Sequence, residues 1–187
     1  GHRHAFRSRY KVGFDAEGRV AALDLHLYCN AGNSLDLSAA IMDRALLHCD
    51  NCYKIPHMRA QGHVCRTNIP SNTAFRGFGG PQGMLLTEMM VDRIASHVGK
   101  PVEVVRELNM YREGEKTHYG QVLEDCHARR CWQEVMANSD YCTRKSGVEA
   151  YNLEHRWRKR GLAITPTKFG ISFTTKFLNQ AGALVHI

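Results

Sequence analysis

Ser71-Asn72-Thr73-Ala74-Phe75-Arg76-Gly77-Phe78-Gly79-Gly80-Pro81-Gln82 is the stretch on which the fold turns. Three glycines in four residues interrupt regular structure, whereas Pro81 suits the first turn of a helix, where a missing N–H leaves nothing unpaired. A helix is expected from Pro81 to about Gly99, with Pro101 just past its end. Met84, Leu85, Met89, Val91, Ile94, Ala95 and Val98 give it a wide apolar face. Within the loop, Phe75, Arg76 and Phe78 set two rings and a cation on backbone that glycine leaves open. Two readings stand: a platform for a flat heteroaromatic ligand bearing an anionic group, or a turn that packs its aromatics inward. No nucleotide fingerprint is met, because the third glycine of G-x-G-x-x-G falls at Gln82 and no Gly-Lys-Ser/Thr follows.

Upstream, residues 6–14 and 19–30 are rich in alternating or β-branched positions around the turn Asp15-Ala16-Glu17-Gly18, which predicts a β-hairpin. From Asp36 to about His48 the apolar residues Leu37, Ala40, Ile41, Leu46 and Leu47 recur at helical spacing, with Ser34 or Asp36 as the expected cap. Arg44 lies inside that apolar run. A guanidinium buried there needs a partner, and a carboxylate is the expected one. Residues 51–73 read as irregular to extended, punctuated by Pro56, Gly62 and Pro70. Downstream, residues 101–111, 131–145 and 148–159 read as helices, and residues 162–174 as extended. Strands at both ends with helices between them give an α+β class, and residues 1–187 parse as one domain or part of one.

The composition, 43% apolar and 23% charged, belongs to a globular protein and argues against disorder. No run approaches the roughly 20 apolar residues of a membrane span, and no secretion signal opens the chain, so a cytoplasmic location is expected, with the peroxisome as a second compartment. The start at Gly1 without methionine and the stop inside an apolar run read as cuts in a longer chain. Seven scattered cysteines suit reduced thiols. Cys49 and Cys52 have C-x-x-C spacing, but structural zinc needs four ligands and no second such pair occurs. The net charge of +7 includes two basic patches, residues 2–9 and His155-Arg156-Trp157-Arg158-Lys159-Arg160. The second reads either as a nucleic-acid grip or as a solvated helix end with its cations near the last carbonyls.

The strings 72–82, Asp50-Asn51-Cys52-Tyr53-Lys54-Ile55-Pro56 and Pro166-Thr167-Lys168-Phe169-Gly170-Ile171-Ser172-Phe173-Thr174 closely resemble the molybdenum-binding part of the xanthine dehydrogenase family. So do residues 30–34 and 178–183, in matching order along nearly the whole chain. The resemblance implies part of a molybdopterin-binding domain, with purine hydroxylated at molybdenum and electrons passing through two [2Fe-2S] clusters and FAD to NAD+ or O2. It implies that Arg76 lines the molybdopterin site, that Phe78 stacks face to face on the purine, and that Phe173 meets it edge-on. Arg44 is then the cation on a purine oxygen, and Thr174 a further substrate contact. The catalytic base glutamate of the family would lie beyond Ile187, so Glu88, Glu103 and Glu107 are not nominated, and the fragment alone should be inactive. The iron–sulfur and flavin domains would also lie outside it. The parent would take purines and form a homodimer.

Aldehyde oxidases resemble the same fold, but usually lack an arginine at the place of Arg44 and tend to carry phenylalanine before the proline of Gly79-Gly80-Pro81-Gln82. Aldehyde oxidation therefore stands as the alternative activity, and a basic nucleic-acid-binding module as the alternative class. If the patch at residues 155–160 is a helix end, a gel shift with random RNA or DNA at two salt concentrations will show no salt-sensitive complex.

Overall fold

Asp15 closes the expected hairpin: its Oδ1 accepts the N–H groups of Glu17 (2.9 Å) and Arg19 (2.8 Å), joining β1 (Phe6–Phe14) to β2 (Val20–Gly32). The computed structural model describes residues 1–174 and 176–187. The strands pair antiparallel, with Phe6 opposite Cys29 and Val12 opposite Leu23. Along β2, Leu23, Leu25, Leu27 and Cys29 point into the core while Asp24, His26 and Tyr28 are half-exposed, the period of two expected of a sheet with one buried face.

The chain then crosses through α1 (Ser38–His48) to β3 (His57–Arg66), which lies parallel to β2 in a sheet of order β1-β2-β3. Residues 51–73 thus contain a strand that sequence reading left as irregular to extended. As the third strand in the order, β3 is largely exposed; Met58 and Ala60 form its half-buried face, alternating with exposed Arg59 and Gln61. Gly62, which interrupts its pattern, faces Met42, and any side chain there would collide with it. Leu37 stands at the N-cap of α1, and neither Ser34 nor Asp36 caps it. Asp36 instead accepts from Thr73 Oγ1 (2.7 Å) and so ties the helix start to the glycine loop.

The long helix forms as expected, as α2 (Gly80–Val98), between left-handed Gly79 and left-handed Gly99. It crosses α1 at very short range. A Cβ on Gly79, whose φ is +97°, would overlap the Ile41 carbonyl oxygen, and one on Gly83 would overlap that of Ala45. Positions spaced by four on each helix meet, so the two backbones interlock as ridge and groove. Met90, Val91 and Ile94 of α2, Met42 and Ala45 of α1, and the leucines of β2 form the core.

α3 (Val102–Asn109) matches expectation, and Asn109 Oδ1 accepts the Val20 N–H at 2.9 Å, locking it to the start of β2. The last two helices differ from the reading. They are α4 (Ala128–Asn138) and α5 (Tyr141–Glu154), and the break falls at left-handed Asp140 and not near Gly147, which lies inside α5. Trp132 and Tyr141 are their buried anchors. Residues 162–174 form no strand, so strands do not stand at both ends: β1, β2 and β3 all lie before residue 67. The α+β class holds. Residues 155–160 turn back on α5, with Lys159 Nζ on the Asn152 carbonyl and the Arg160 N–H on Asn152 Oδ1 at 2.8 Å. That is the helix-end arrangement. Among the described residues no helix is long and apolar enough to cross a membrane.

Because α1 and α2 touch through backbone at Gly83, Gly83→Ala should destabilise by about 1–3 kcal/mol, whereas Leu85→Ala on the exposed face should stay within about 0.5 kcal/mol. Urea denaturation midpoints will read the difference.

Candidate functional site

The glycine loop is pinned at its start and free to turn at its end. Asn72 donates its backbone N–H to Ala31 O and Nδ2 to Asn30 O, both at 2.9 Å, continuing from the end of β2. Two tight turns follow, Phe78 N–H to Phe75 O (2.8 Å) and Gly80 N–H to Gly77 O (2.9 Å). Phe78 itself is left-handed, with φ +51°, a strained conformation for an aromatic residue.

Opposite the loop runs residues 166–173, a strap held by side chains instead of a neighbouring strand. Asn51 Nδ2 donates to Pro166 O (3.0 Å), and Asn51 Oδ1 lies 3.3 Å from the Lys168 N–H. His48 Nε2 accepts the Gly170 N–H at 2.9 Å, Arg44 Nη1 donates to Gly170 O at 2.7 Å, and Arg44 Nη2 donates to Ser172 O. Every second residue of the strap is therefore gripped from the C-terminal half of α1 or the turn after it. Phe169 lies between these anchors, its centroid 4.7 Å from the His48 ring and 5.2 Å from Arg44 Cζ, against Gly80. The strap ends by setting Phe173 edge-on against Phe78, with centroids 5.5 Å apart and planes at 75°.

Phe78 and Phe173 thus meet, Arg44 holds the strap at Ser172 just before Phe173, and Thr174 follows Phe173 in the chain. The partner expected for Arg44 is corrected: two backbone carbonyls, not a carboxylate, take its Nη donors, while its buried Nε has no partner among the described residues. Burial pulls the guanidinium below its ordinary value. Thr174 Oγ1 is likewise buried without a partner among the described residues. Arg76 is exposed, and its carbonyl accepts Arg3 Nη2 at 2.7 Å while the Arg3 guanidinium sits 4.6 Å over Phe75. Sequence reasoning missed Arg3, His48 and Phe169, since each reads as ordinary until the fold brings it to the loop or strap.

Beneath the strap lies a polar network. Asp50, fully buried, accepts from Lys168 Nζ (2.7 Å) and Tyr111 OH (2.9 Å), with His118 Nδ1 at 3.5 Å, the limit of hydrogen-bond range. Burial pushes its carboxyl up, but His118 and Lys168 outweigh that and hold it below 3.8. Glu88 accepts from Asn51 (2.8 Å), Tyr53 (2.6 Å) and Arg106 (2.8 Å). Glu103 pairs with Lys145. Neither carboxylate faces the paired phenyl rings. Cys49 and Cys52 are buried, and burial pushes the Cys52 thiol up to about 12, the behaviour of core thiols. A separate cleft of about 490 Å³ opens between α4 and residues 164–168, away from the phenyl pair.

Residues 1–110 match the family described as molybdopterin cofactor-binding domain, and residues 134–187 match a second family of the same description. Over all 187 residues the chain is 59% identical to the xanthine dehydrogenase/oxidase of Felis catus and 54% identical to xanthine dehydrogenase 1 of Arabidopsis thaliana. It spans only 14% of the length of each. Its fold is similar to that of the aldehyde oxidoreductase of Desulfovibrio desulfuricans, with TM-score 0.72 and 26% identity over 79% of this chain and 16% of that one. The quinoline 2-oxidoreductase of Pseudomonas putida shares the fold at TM-score 0.62 and 20% identity, over 80% of this chain and 20% of that one.

Removing Lys168 would leave the Asp50 carboxylate buried and short of its cation, so Lys168→Met should destabilise by about 3–5 kcal/mol. A carboxylate held low contributes stability above its ordinary 3.8 that disappears as pH falls through its folded value. The variant's deficit should therefore be largest near neutrality and shrink in strong acid, as read by denaturation at a series of pH values.

Proposed function

Since the chain belongs to the molybdopterin cofactor-binding domain family, we propose that residues 1–187 are part of a larger molybdopterin- and substrate-binding domain in an oxidoreductase of the xanthine dehydrogenase type, hydroxylating hypoxanthine and xanthine to urate. The observation that carries this reading is the perpendicular phenyl pair Phe78 and Phe173 next to a buried guanidinium. Identity of 50–59% along the full chain to xanthine dehydrogenases supports it. In the proposed parent, FAD, two [2Fe-2S] clusters and the NAD site lie outside this chain, the molecule is a cytoplasmic homodimer, and purine breakdown is its role.

The residues present fit a polar, anionic cofactor. Arg3 Nη1 and Gln82 Oε1 are buried beside the glycine loop with no partner among the described residues, and Arg76 is free to reach outward. Arg76 would hold the molybdopterin, with Arg3 behind it. When bound, that group supplies oxygen insertion at a ring carbon and takes up two electrons. Everything else asked of this chain is orientation and charge.

Phe78 and Phe173 stand edge-on, with centroids 5.5 Å apart and planes at 75°, so a planar ring stacked on one phenyl meets the other at its edge. Once in, one ring fixes the plane of the substrate by stacking and the other fixes its rotation by edge contact, an orientation effect. Negative charge builds on the purine as a nucleophile adds. Arg44, charged and desolvated, stabilises that charge more than it stabilises the resting substrate, and the Thr174 hydroxyl, without a partner among the described residues, offers one further hydrogen bond.

In the intact parent, Arg44→Met should lower kcat/KM for xanthine by about 100-fold or more while small uncharged aldehydes change only a few-fold. Equal losses on both substrates would assign Arg44 to holding the strap and favour the aldehyde-oxidising alternative.

A further inference from the structure

His48 is buried at the end of α1, and both of its ring nitrogens are committed. Nε2 lies 2.9 Å from the Gly170 amide nitrogen and Nδ1 lies 2.8 Å from the Arg44 carbonyl oxygen. An amide N–H can only donate and a carbonyl oxygen can only accept, so the partners dictate the tautomer: Nε2 bare, Nδ1 carrying the proton. No other protonation state satisfies both contacts. The ring also packs on Phe169, and the carbonyl of the same Gly170 is bound by Arg44 Nη1 at 2.7 Å. Gly170 is thus held on both sides of its backbone by two residues one helical turn apart, three residues before Phe173.

We propose that His48 is a positioning residue for the purine slot, whose neutral imidazole fixes the strap through Gly170 and so, together with Asn179 on the Phe173 backbone, sets where Phe173 stands against Phe78. This rests on the reading of that slot given above. Protonation at Nε2 would turn the acceptor into a donor facing a donor, and would bring a cation beside Arg44 on its own helix and Lys168 on the strap. The other charged groups around it do not offset this. Asp50 in the following turn is already bound by Lys168, and Glu88 of α2 is already bound by Arg106. His118 turns Nε2 to the Leu46 carbonyl at 2.8 Å and not to His48. Burial, with Arg44 and Lys168, pulls His48 below its ordinary 6.5 despite the Arg44 carbonyl and Asp50. The sign follows: the strap is held above that range and loosens as pH falls through the lowered value.

Two variants of the intact parent enzyme separate this from simple packing. His48→Phe keeps a ring against Phe169 and loses both nitrogens. His48→Gln keeps an acceptor near the Nε2 position and cannot titrate. Hydrogen exchange of peptides covering residues 168–174, corrected for intrinsic rate, reports the strap directly and needs no turnover. We expect His48→Phe to lose protection about tenfold or more and to raise KM for xanthine roughly ten- to hundredfold, with kcat for a small aldehyde nearly unchanged. His48→Gln should restore both to within a few-fold. Wild-type protection should fall as pH drops below 6.5, and that acid limb should vanish in His48→Gln.

Unaltered protection in His48→Phe, lost protection with an unchanged KM, or the same acid limb in His48→Gln would each overturn the proposal. If His48→Phe fails to fold, the acid limb of His48→Gln alone decides it, one way or the other. A wild-type parent that oxidises aldehydes but no purine would defeat the purine reading instead, and exchange at residues 168–174 would still decide the contact made by His48.

Discussion

The backbone contact between α1 and α2 governs the architecture of the site. Gly79 and Gly83 meet the carbonyls of Ile41 and Ala45 with no room for a β-carbon, so the helices cross closer than side chains would allow. That proximity brings the end of the glycine loop, with Phe78 at its tip, alongside the helix that carries Arg44 and His48. Widening the crossing by one methyl group would separate the two halves of the phenyl pair. Packed interiors do not absorb such a change without moving something else.

A second constraint follows from the first. With α1 buried against the sheet on one side and α2 on another, its C-terminal half presents Arg44 and His48 to a peptide segment instead of to water. Residues 166–173 take up those groups through backbone carbonyls and amides, and in return need no neighbouring strand. Buried polar groups are tolerated only when paired. In the Asp50, Asn51 and Glu88 network, Lys168 and Tyr111 pair Asp50 Oδ2 while Tyr53 and Arg106 pair the two oxygens of Glu88, which fixes the strap at the same time; Asp50 Oδ1 has no partner among the described residues. Stability and site geometry are thus carried by the same hydrogen bonds.

That dual use bears on how each residue is interpreted. Arg44 serves the strap with both terminal nitrogens, so its charge and its hydrogen bonds act on different objects. The substrate would feel the charge, and the strap the geometry. Phe173 is held from both directions: Asn179 accepts its N–H at 2.9 Å and donates to its carbonyl at 2.8 Å, while Arg44 and His48 hold the strap that leads to it.

Local patterns were enough to recover the hairpin at residues 6–32, the helices at 38–48, 80–98 and 102–109, the α+β class, and the unusual character of residues 72–82. Alternation, helical spacing, glycine and proline act within one turn or one strand, so they are written into short windows of sequence. Residues 51–73 read only as irregular to extended because Pro56, Gly62 and Pro70 punctuate the short alternation of Met58, Ala60 and Val64 in β3, and the break at Asp140 is hidden because a left-handed aspartate carries no distinctive pattern. Residues 162–174 looked like a strand because an extended segment has the same composition whether amides or side chains satisfy it. The strings around Phe78 and Phe173 were enough for the family. Which residues hold them together was decided only in three dimensions: His48 and Gly170 are separated by 122 positions, and no local rule links groups whose only relation is that folding brings them within a hydrogen bond of each other.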